Sequence, residues 1–320
     1  MVRLSDYLKS IIYVAVVPVV FLTSCFTGVE STPKITAKHV DKEGATVSLV
    51  PEETFLQNVT GDSVGLWREG KEFYVTDSRI SIALEPSKHE MPAQGDIIRF
   101  ERFNEVPSMT GKNETEIVFT QPDSLTCVYR VGMSFDELRK RPMGVEIPFT
   151  IEMSVVEKAR KALVDSVLYI RTPVWYTLDG GNTTEGKKFI PVMVTSVEPG
   201  NLVYPLRVCF RPLGRDGEMY GDACVYMSVS DNSKSGRNFA MLFSLKDPRL
   251  HYPTITDEVW SCIQNSRVAK YMTRDECRIA LGAPKNIQRR NVITSLQEMW
   301  TYENGVYLLF DDGILQSYRQ

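Results

Sequence analysis

The chain of 320 residues is long enough for two or three domains with sizeable cores. Its 43% hydrophobic and 24% charged residues are ordinary for a globular protein. A formal net charge of −3, without a long lysine or arginine run, gives no support for nucleic-acid binding. The six cysteines include no zinc-type C-x-x-C pair and the three histidines are isolated, so the sequence does not favour a metal site.

A short apolar segment opens the chain. Arg3 and Lys9 precede an apolar run at residues 11–22, and small residues follow it. As a helix this run spans about 18 Å, at 1.5 Å per residue. The hydrocarbon core of a bilayer is about 30 Å thick. We therefore predict a secretory signal peptide at residues 1–24 rather than a membrane-spanning anchor.

The end of that segment, Leu22-Thr23-Ser24-Cys25, resembles the lipobox of bacterial lipoproteins. The resemblance implies diacylglyceryl transfer to the Cys25 thiol and cleavage before it, so that the lipid binds a membrane. Residue 26 is Phe, so the Asp that retains enteric lipoproteins in the inner membrane is missing. Residues 26–30 also lack the acidic cluster associated with surface export in Bacteroidetes. The resemblance therefore favours the periplasmic face of the outer membrane. The alternative is an ordinary signal peptide with an incidental cysteine. Residues 25–38, rich in Thr, Ser, Gly and Pro, predict a flexible tether.

Residues 39–150 predict a β-rich module. β-branched and aromatic residues at 71–75 and 96–100 are typical of strands, and Gly70 and Gly95 are typical of the turns that bound them. Ser134 and Glu137 form a capping-box pattern that predicts a short helix ending before Pro142.

Residues 151–247 predict a second β-rich module. Ser154 and Glu157 form a second capping-box pattern, which predicts an amphipathic helix from Ser154 to about Asp165. Strands are predicted at residues 167–171, 174–178, 188–197, 203–211 and 223–230, with turns at 179–182, 198–201 and 214–217. Closely spaced strands of this kind favour a small antiparallel barrel or sandwich, and both modules resemble bacterial SH3-like domains. A faint similarity between residues 73–98 and 168–189 indicates an internal repeat.

Residues 248–320 predict an α-α-β-β-β two-layer domain, so the fold class is mainly β with a C-terminal α+β unit. Thr256 is typical of a helix N-cap. Thr273 and Glu276 form a capping box for the next helix, and Gly282 is placed to end it. The hairpin turns are predicted at Asn304-Gly305 and Asp312-Gly313.

This segment resembles the SmpA/OmlA (BamE-like) lipoprotein domain. The resemblance rests on Met272-Thr273-Arg274-Asp275-Glu276-Cys277-Arg278, on Leu281-Gly282-Ala283-Pro284, and on residues 298–302 and 307–313. It implies a non-enzymatic role in assembling or stabilising outer-membrane proteins. Beta-lactamase-inhibitor-like repeats share the layout, and the whole chain resembles the multi-domain lipoproteins of Bacteroidetes.

The sequence contains one pattern of nucleophilic catalysis. Gly61-Asp62-Ser63-Val64-Gly65 matches the nucleophile-elbow pattern, but the strand-turn-helix context of that motif is missing, so we predict a polar turn. Asp311-Asp312-Gly313 is predicted as a hairpin turn rather than a calcium loop. We expect His39, His89 and His251 to be surface or locally bonded residues, and we predict neither catalysis nor a cofactor.

The five cysteines beyond Cys25 leave several pairings open. Cys209 and Cys224 face each other if their strands form a hairpin, and Cys262 and Cys277 meet if their helices pack together. Each cysteine, including Cys127, is equally compatible with a free thiol in a core. For Trp175 and Tyr176 we favour core packing over an exposed binding platform.

These observations predict a lipid-anchored envelope protein that acts as a non-enzymatic binding or scaffold module with an envelope protein as partner. Neither a nucleic acid nor a small-molecule substrate is indicated. The alternatives are a peptidoglycan-binding accessory protein or envelope hydrolase, and a protein inhibitor.

Overall fold

The computed structural model describes residues 51–86, 90–107, 111–142, 144–229, 237–292 and 295–320. These residues belong to one compact unit, Leu49–Gln320. The predicted signal peptide, the tether and Cys25 lie outside the described residues, as do His39 and His89. The described chain is mainly β and folds into curled antiparallel sheets, as predicted. None of the described helices is long and apolar enough to cross a membrane.

The first sheet follows a short helix, α1 (Pro51–Thr54), and has the strand order β2-β5-β4-β3-β1-β6. Its strands are β1 (Glu72–Val75), β2 (Leu84–Pro86), β3 (Ile97–Pro107), β4 (Asn113–Thr120), β5 (Thr126–Val131) and β6 (Thr150–Glu152). Alternate residues of β1, Phe73 and Val75, are buried in the core of this sheet. The predicted capping box of Ser134 and Glu137 is present and begins α2 (Phe135–Arg139).

The second sheet has the strand order β13-β7-β10-β11-β12-β8-β9 and is covered on its core face by α3 (Met153–Leu163). Its strands are β7 (Val167–Ile170), β8 (Val174–Tyr176), β9 (Thr183–Glu185), β10 (Ile190–Pro199), β11 (Leu206–Pro212), β12 (Ala223–Met227) and β13 (Phe243–Ser244). Two short helices, α4 (Arg215–Tyr220) and α5 (Phe239–Leu242), flank β12 in the sequence.

The two sheets share one strand order. From one edge, the first sheet reads β6-β1-β3-β4-β5-β2, and the second reads β13-β7-β10-β11-β12-β8 before β9 is added. In each, the last strand returns after a short helix to pair with the first strand. The strand pairing of the first sheet is therefore repeated in the second sheet, although the sequence similarity between the two modules is faint.

Two local predictions in the second module are wrong. Helix α3 begins at Met153 with Glu152 as its N-cap and no side-chain cap bond, because the Ser154 hydroxyl bonds to Glu152 and Lys71 instead. Residues 214–217 are predicted to form a turn, but helix α4 begins within them at Arg215. The Tyr220 ring packs on Trp175 with 5.4 Å between centroids, so tertiary packing stabilises a helix that the sequence disfavours.

The C-terminal residues form two helices, α6 (Asp257–Gln264) and α7 (Arg274–Leu281), followed by a third sheet of order β14-β15-β16-β17. Its strands are β14 (Asn286–Val292), β15 (Ser295–Thr301), β16 (Tyr307–Asp311) and β17 (Ile314–Arg319). The caps predicted at Thr256 and at Thr273 with Glu276 are present. Gly282 ends α7 with a φ of +84°, a backbone conformation that favours glycine.

Glu298 links this third sheet to α7. Its buried carboxylate accepts hydrogen bonds from Arg274 at 2.6 Å and from Trp300 Nε1 at 3.0 Å. Trp300 is fully buried and packs in one core with α6 and α7.

Candidate functional site

One concave region among the described residues is a mostly apolar cavity of about 400 Å³, which we call the apolar pocket. The edge strand β6 and the preceding loop form one side of it, α3 contributes Val155, and the loop that joins β10 to β11 closes the other side. The apolar residues that line it are Phe73, Pro142, Val145, Ile147, Phe149, Ile151, Val155, Leu202, Pro205 and Val229. Its volume and lining are typical of sites that bind a small ligand or a partner's side chain.

A group of charged residues borders this pocket, and we call Asp62, Lys71, Glu152, Ser154 and Lys158 the ionic cluster. The Lys71 ammonium donates to Asp62 at 2.5 Å, to Glu152 at 2.6 Å and to the Ser154 hydroxyl at 3.3 Å. Lys158 donates to the other oxygen of Asp62 at 2.7 Å. Glu152 lines the pocket, so the cluster forms its polar wall.

The charges of this cluster neutralise one another. Burial alone would raise the pKa of Asp62, but the hydrogen bonds from Lys158 and Lys71 hold it far below its ordinary value. The Ser154 hydroxyl donates to Glu152, and Lys71 is occupied by two carboxylates. This geometry bonds Lys71 and the Ser154 hydroxyl within the cluster, so the cluster holds the loop of Asp62 against the start of α3.

The nucleophile-elbow pattern lies beside this cluster. Ser63 precedes a 3₁₀ helix at Val64–Leu66 and makes no side-chain cap bond, and Trp67 then returns to extended backbone. Asp62 is the residue of this motif that belongs to the ionic cluster. A Cβ at Gly61 would lie 2.7 Å from Glu152 Oε2, so a larger residue there would displace this carboxylate.

Sequence reasoning missed the ionic cluster. Asp62 and Lys71 are separated from Glu152 by 90 and 81 residues, and no spacing rule connects them. The one local signal was Gly61-Asp62, which we interpreted only as part of a turn.

The other residues singled out from the sequence do not converge on a site. His251 is exposed at the end of a 3₁₀ helix. Asp312 lies in the predicted hairpin turn and accepts a hydrogen bond from the Leu296 amide of the adjacent strand β15, at 2.9 Å. Among the described residues no group of three or more His, Cys, Asp and Glu side chains is arranged to bind a metal ion.

The five described cysteines fall into three environments. Cys127 and Cys277 are buried in cores, and burial raises the pKa of each thiol to about 12. Cys262 is a half-buried free thiol. Cys209 and Cys224 are directly opposed on β11 and β12.

A second cavity, of about 690 Å³, is lined by four basic residues and by no Asp or Glu. We call it the basic cleft, and its cations are Arg171, Lys188, Arg237 and Arg278. Lys188 is 6% exposed and donates to the carbonyl oxygens of Ile279, at 2.8 Å, and Ala280.

The electrostatics of the basic cleft favour an anion. Burial lowers the pKa of Lys188 to about 8, since no carboxylate compensates its charge in the cleft. The Arg237 Nη2 atom is buried without a hydrogen-bond partner. Arg278 has an acidic neighbour, Asp275, at 3.9 Å. An anionic group in the cleft would be attracted by the positive charge of these four side chains.

Comparison with family models, curated proteins and solved structures finds no match to this chain.

Proposed function

We propose that this protein is a lipid-anchored, non-enzymatic binding or scaffold module of the bacterial cell envelope that binds an envelope protein at its apolar pocket. The anchor is the lipid on Cys25, and the location is the periplasmic face of the outer membrane. The observation that carries the proposal is an apolar cavity bordered by charges that are already paired with one another.

The surroundings of the pocket suit a protein segment. Strand β6 lies at the edge of the first sheet and lines the pocket through Thr150, Ile151 and Glu152. An extended segment of a partner laid along this edge could place apolar side chains in the cavity. Leu202, on the opposite rim, is 44% exposed and available to cover them.

The finer fold assignment is part of this proposal. The order β1-β3-β4-β5 with a final strand beside β1, repeated in the second sheet, supports two SH3-like modules. Two capped helices followed by an antiparallel sheet support a SmpA/OmlA-like α+β unit at the C-terminus. Both are scaffolds on which binding surfaces are common and catalytic sites are not required.

A photo-crosslinking amino acid at Leu202 tests the binding site in intact cells. We expect it to capture one specific envelope protein, identified by mass spectrometry. The same amino acid at Ile82, which is 79% exposed and does not line the pocket, is the matched control. Equal capture from both positions would contradict the proposal, and recovery of glycan fragments alone would favour the second function below.

The anchor has its own test. Labelling with radioactive palmitate in a bacterial host should modify the wild-type protein and should be lost in Cys25→Ala. Retained label in the variant would show that Cys25 is not the lipidation site.

The basic cleft favours a second function, the binding of peptidoglycan through its carboxylates. Purified protein should then sediment with isolated cell-wall sacculi, more weakly as salt screens the attraction. The double variant Arg171→Glu/Arg278→Glu should lose this binding, while Arg79→Glu, in the 3₁₀ helix between β1 and β2, should keep it. Sedimentation that is insensitive to the double variant would exclude the cleft as the binding site.

A further inference from the structure

Cys209 and Cys224 lie on the outer face of the second sheet, away from its core. Their sequence neighbours Val208, Phe210 and Val225 belong to the core cluster, and the two cysteines do not. Successive side chains of a strand point to opposite faces, so both thiols share the outer face. They are nevertheless only 3% and 0% exposed.

The strand register places the two cysteines opposite each other. Cys209 pairs with Cys224 across β11 and β12, and Ser196 and Tyr176 continue the same row on the adjacent strands. Directly opposed residues of antiparallel strands have Cα atoms about 4.5–5.5 Å apart. Disulfides require Cα separations of about 4.4–6.8 Å. A bond between these sulfurs therefore needs no change in strand register.

The surroundings make the two thiols unequal. Hydrogen bonding from Cys224 lowers the pKa of Cys209 to about 7 against the effect of burial, and Ser196 and the Arg207 charge act in the same direction. The pKa of Cys224 is raised by its thiol neighbour and by burial. The single proton of the Cys224 thiol donates either to the Thr177 carbonyl oxygen, 3.1 Å away, or to Cys209 once Cys209 is a thiolate. Cys209 is accordingly the better nucleophile of the pair.

We propose that Cys209 and Cys224 are a redox pair that a disulfide-bearing oxidant, such as a small-molecule thiol in its disulfide form, converts into a cross-strand disulfide. This inference does not depend on the proposed binding function. It assigns a modification site to two residues that the sequence alone left as one of several pairings.

The reaction is two thiol–disulfide exchanges. The Cys209 thiolate attacks one sulfur of the oxidant, forms a mixed disulfide and releases the other sulfur as a thiolate. Cys224 then loses its proton to that thiolate or to water and attacks the Cys209 sulfur. The bond between Cys209 and the oxidant breaks, the Cys209–Cys224 bond forms, and the second thiolate leaves. Two protein thiols are oxidised and one disulfide is reduced to two thiols.

The turn at residues 177–182 limits access to the pair. The Thr177 carbonyl bonds to Cys224, and the Gly180 carbonyl accepts from Tyr226 on the same outer face, at 3.4 Å. The oxidant reaches Cys209 when this turn opens, so we expect slow oxidation and choose an end point as the measurement.

The test uses the full chain, reduced and then incubated with oxidised glutathione. We expect an intact mass lower by two hydrogen atoms and, after digestion without reductant, a peptide that joins Cys209 to Cys224. Alkylation of both cysteines in the denatured protein after this incubation would overturn the proposal. So would a lasting bond from either cysteine to glutathione or to another cysteine.

Two single variants test the order of attack. Cys224→Ser should trap glutathione on Cys209, because the resolving thiol is absent. Cys209→Ser should be modified at Cys224 more slowly, because that thiol is fully buried and bonded to the Thr177 carbonyl oxygen. Equal modification of both variants would overturn the assignment of Cys209 as the attacking thiol. Circular dichroism establishes that each variant is folded. The oxidation of the wild-type protein tests the disulfide itself and does not depend on either variant.

Discussion

Lys71 contributes both to the stability of the first module and to the polar wall of the apolar pocket. Its side chain is 10% exposed and lies between the carboxylates of Asp62 and Glu152, whose side chains are 26% and 11% exposed. Burying three such groups is tolerable only while each has its partners. The cluster therefore fixes the loop that carries Asp62 against the start of α3.

Replacing Lys71 by Met keeps most of the apolar stem and removes the ammonium. We expect the free energy of unfolding to fall by about 3–5 kcal/mol, since two partly buried carboxylates lose their shared partner. Urea unfolding followed by tryptophan fluorescence measures the loss. Arg79→Met is the control, because Arg79 pairs with Asp77 on the surface and its removal should change little. A variant as stable as the wild type would indicate that the lysine serves binding rather than folding.

Asp62 predicts a pH dependence. Its pKa is lower in the folded than in the unfolded chain, whose ordinary value is 3.8, so its ionised form stabilises the fold. This contribution should be fully present well above pH 3.8 and should be lost as the pH falls below it. The measurement is the difference in unfolding free energy between wild type and Asp62→Asn from pH 7 to pH 3. A difference that does not shrink on acidification would contradict the assignment.

Helix starts and hairpin turns are the elements that the sequence predicts best. The caps at Ser134, Thr256 and Thr273 each need only residues three positions apart, and all three form. The same pattern fails at Ser154, because a lysine 83 residues away competes for the hydroxyl. Hydrogen bonds between residues close in sequence can be predicted from the sequence. A contact with a buried charge far along the chain cannot. The ionic cluster was missed for that reason.

Lys188 caps the end of α7 from another element and predicts a second pH dependence. Burial lowers its pKa to about 8 from the ordinary 10.5. Between these values the unfolded chain binds more protons than the folded chain, so the stability contributed at this residue should rise with pH from about 8 to about 10.5. We expect the stability difference between wild type and Lys188→Met to change across this window and to be flat above it.

The measurement is guanidinium unfolding of both proteins at pH 7 to 11, taken as a difference so that tyrosines and other lysines cancel. Lys246→Met, whose lysine is not part of the basic cleft, serves as the control and should show no such window. A constant difference between wild type and Lys188→Met would mean that the Ile279 and Ala280 carbonyls compensate the burial of the ammonium fully.

In the whole molecule, the repeated strand order means that the cores of the first and second sheets are formed by strands paired in the same order. The strand and turn spacing predicted the β class, two strands of the first sheet (β1 and β3) and most strands of the second sheet. It could not predict the edge strands, because β2 and β6 in the first sheet and β9 and β13 in the second are two to three residues long and carry little pattern. The positions of β2, β6 and β13 follow from pairing with strands far along the chain.

The segment before the first sheet packs in the core of the second. Leu56 and Val59 are buried in the second core cluster, and the Phe55 ring stacks on Phe239 with 4.7 Å between centroids. The Glu52 carboxylate accepts from the Leu245 amide at 3.1 Å. The module boundary predicted at residue 150 therefore separates two parts of the chain that share side chains, and it can be tested with a fragment.

A fragment of residues 151–320 should be less stable than the same region in the full chain. Loss of Leu56 alone leaves a cavity that typically costs about 2–5 kcal/mol when a buried leucine is truncated. Thermal unfolding followed by circular dichroism should show a lower midpoint for the fragment, and a synthetic peptide of residues 51–62 added in trans should raise it. A peptide with Leu56→Asp is the matched control and should not. A fragment that unfolds at the temperature of the full chain would establish the boundary at 150 as that of an independent domain, because the core of the second sheet would then be complete without residues 51–62.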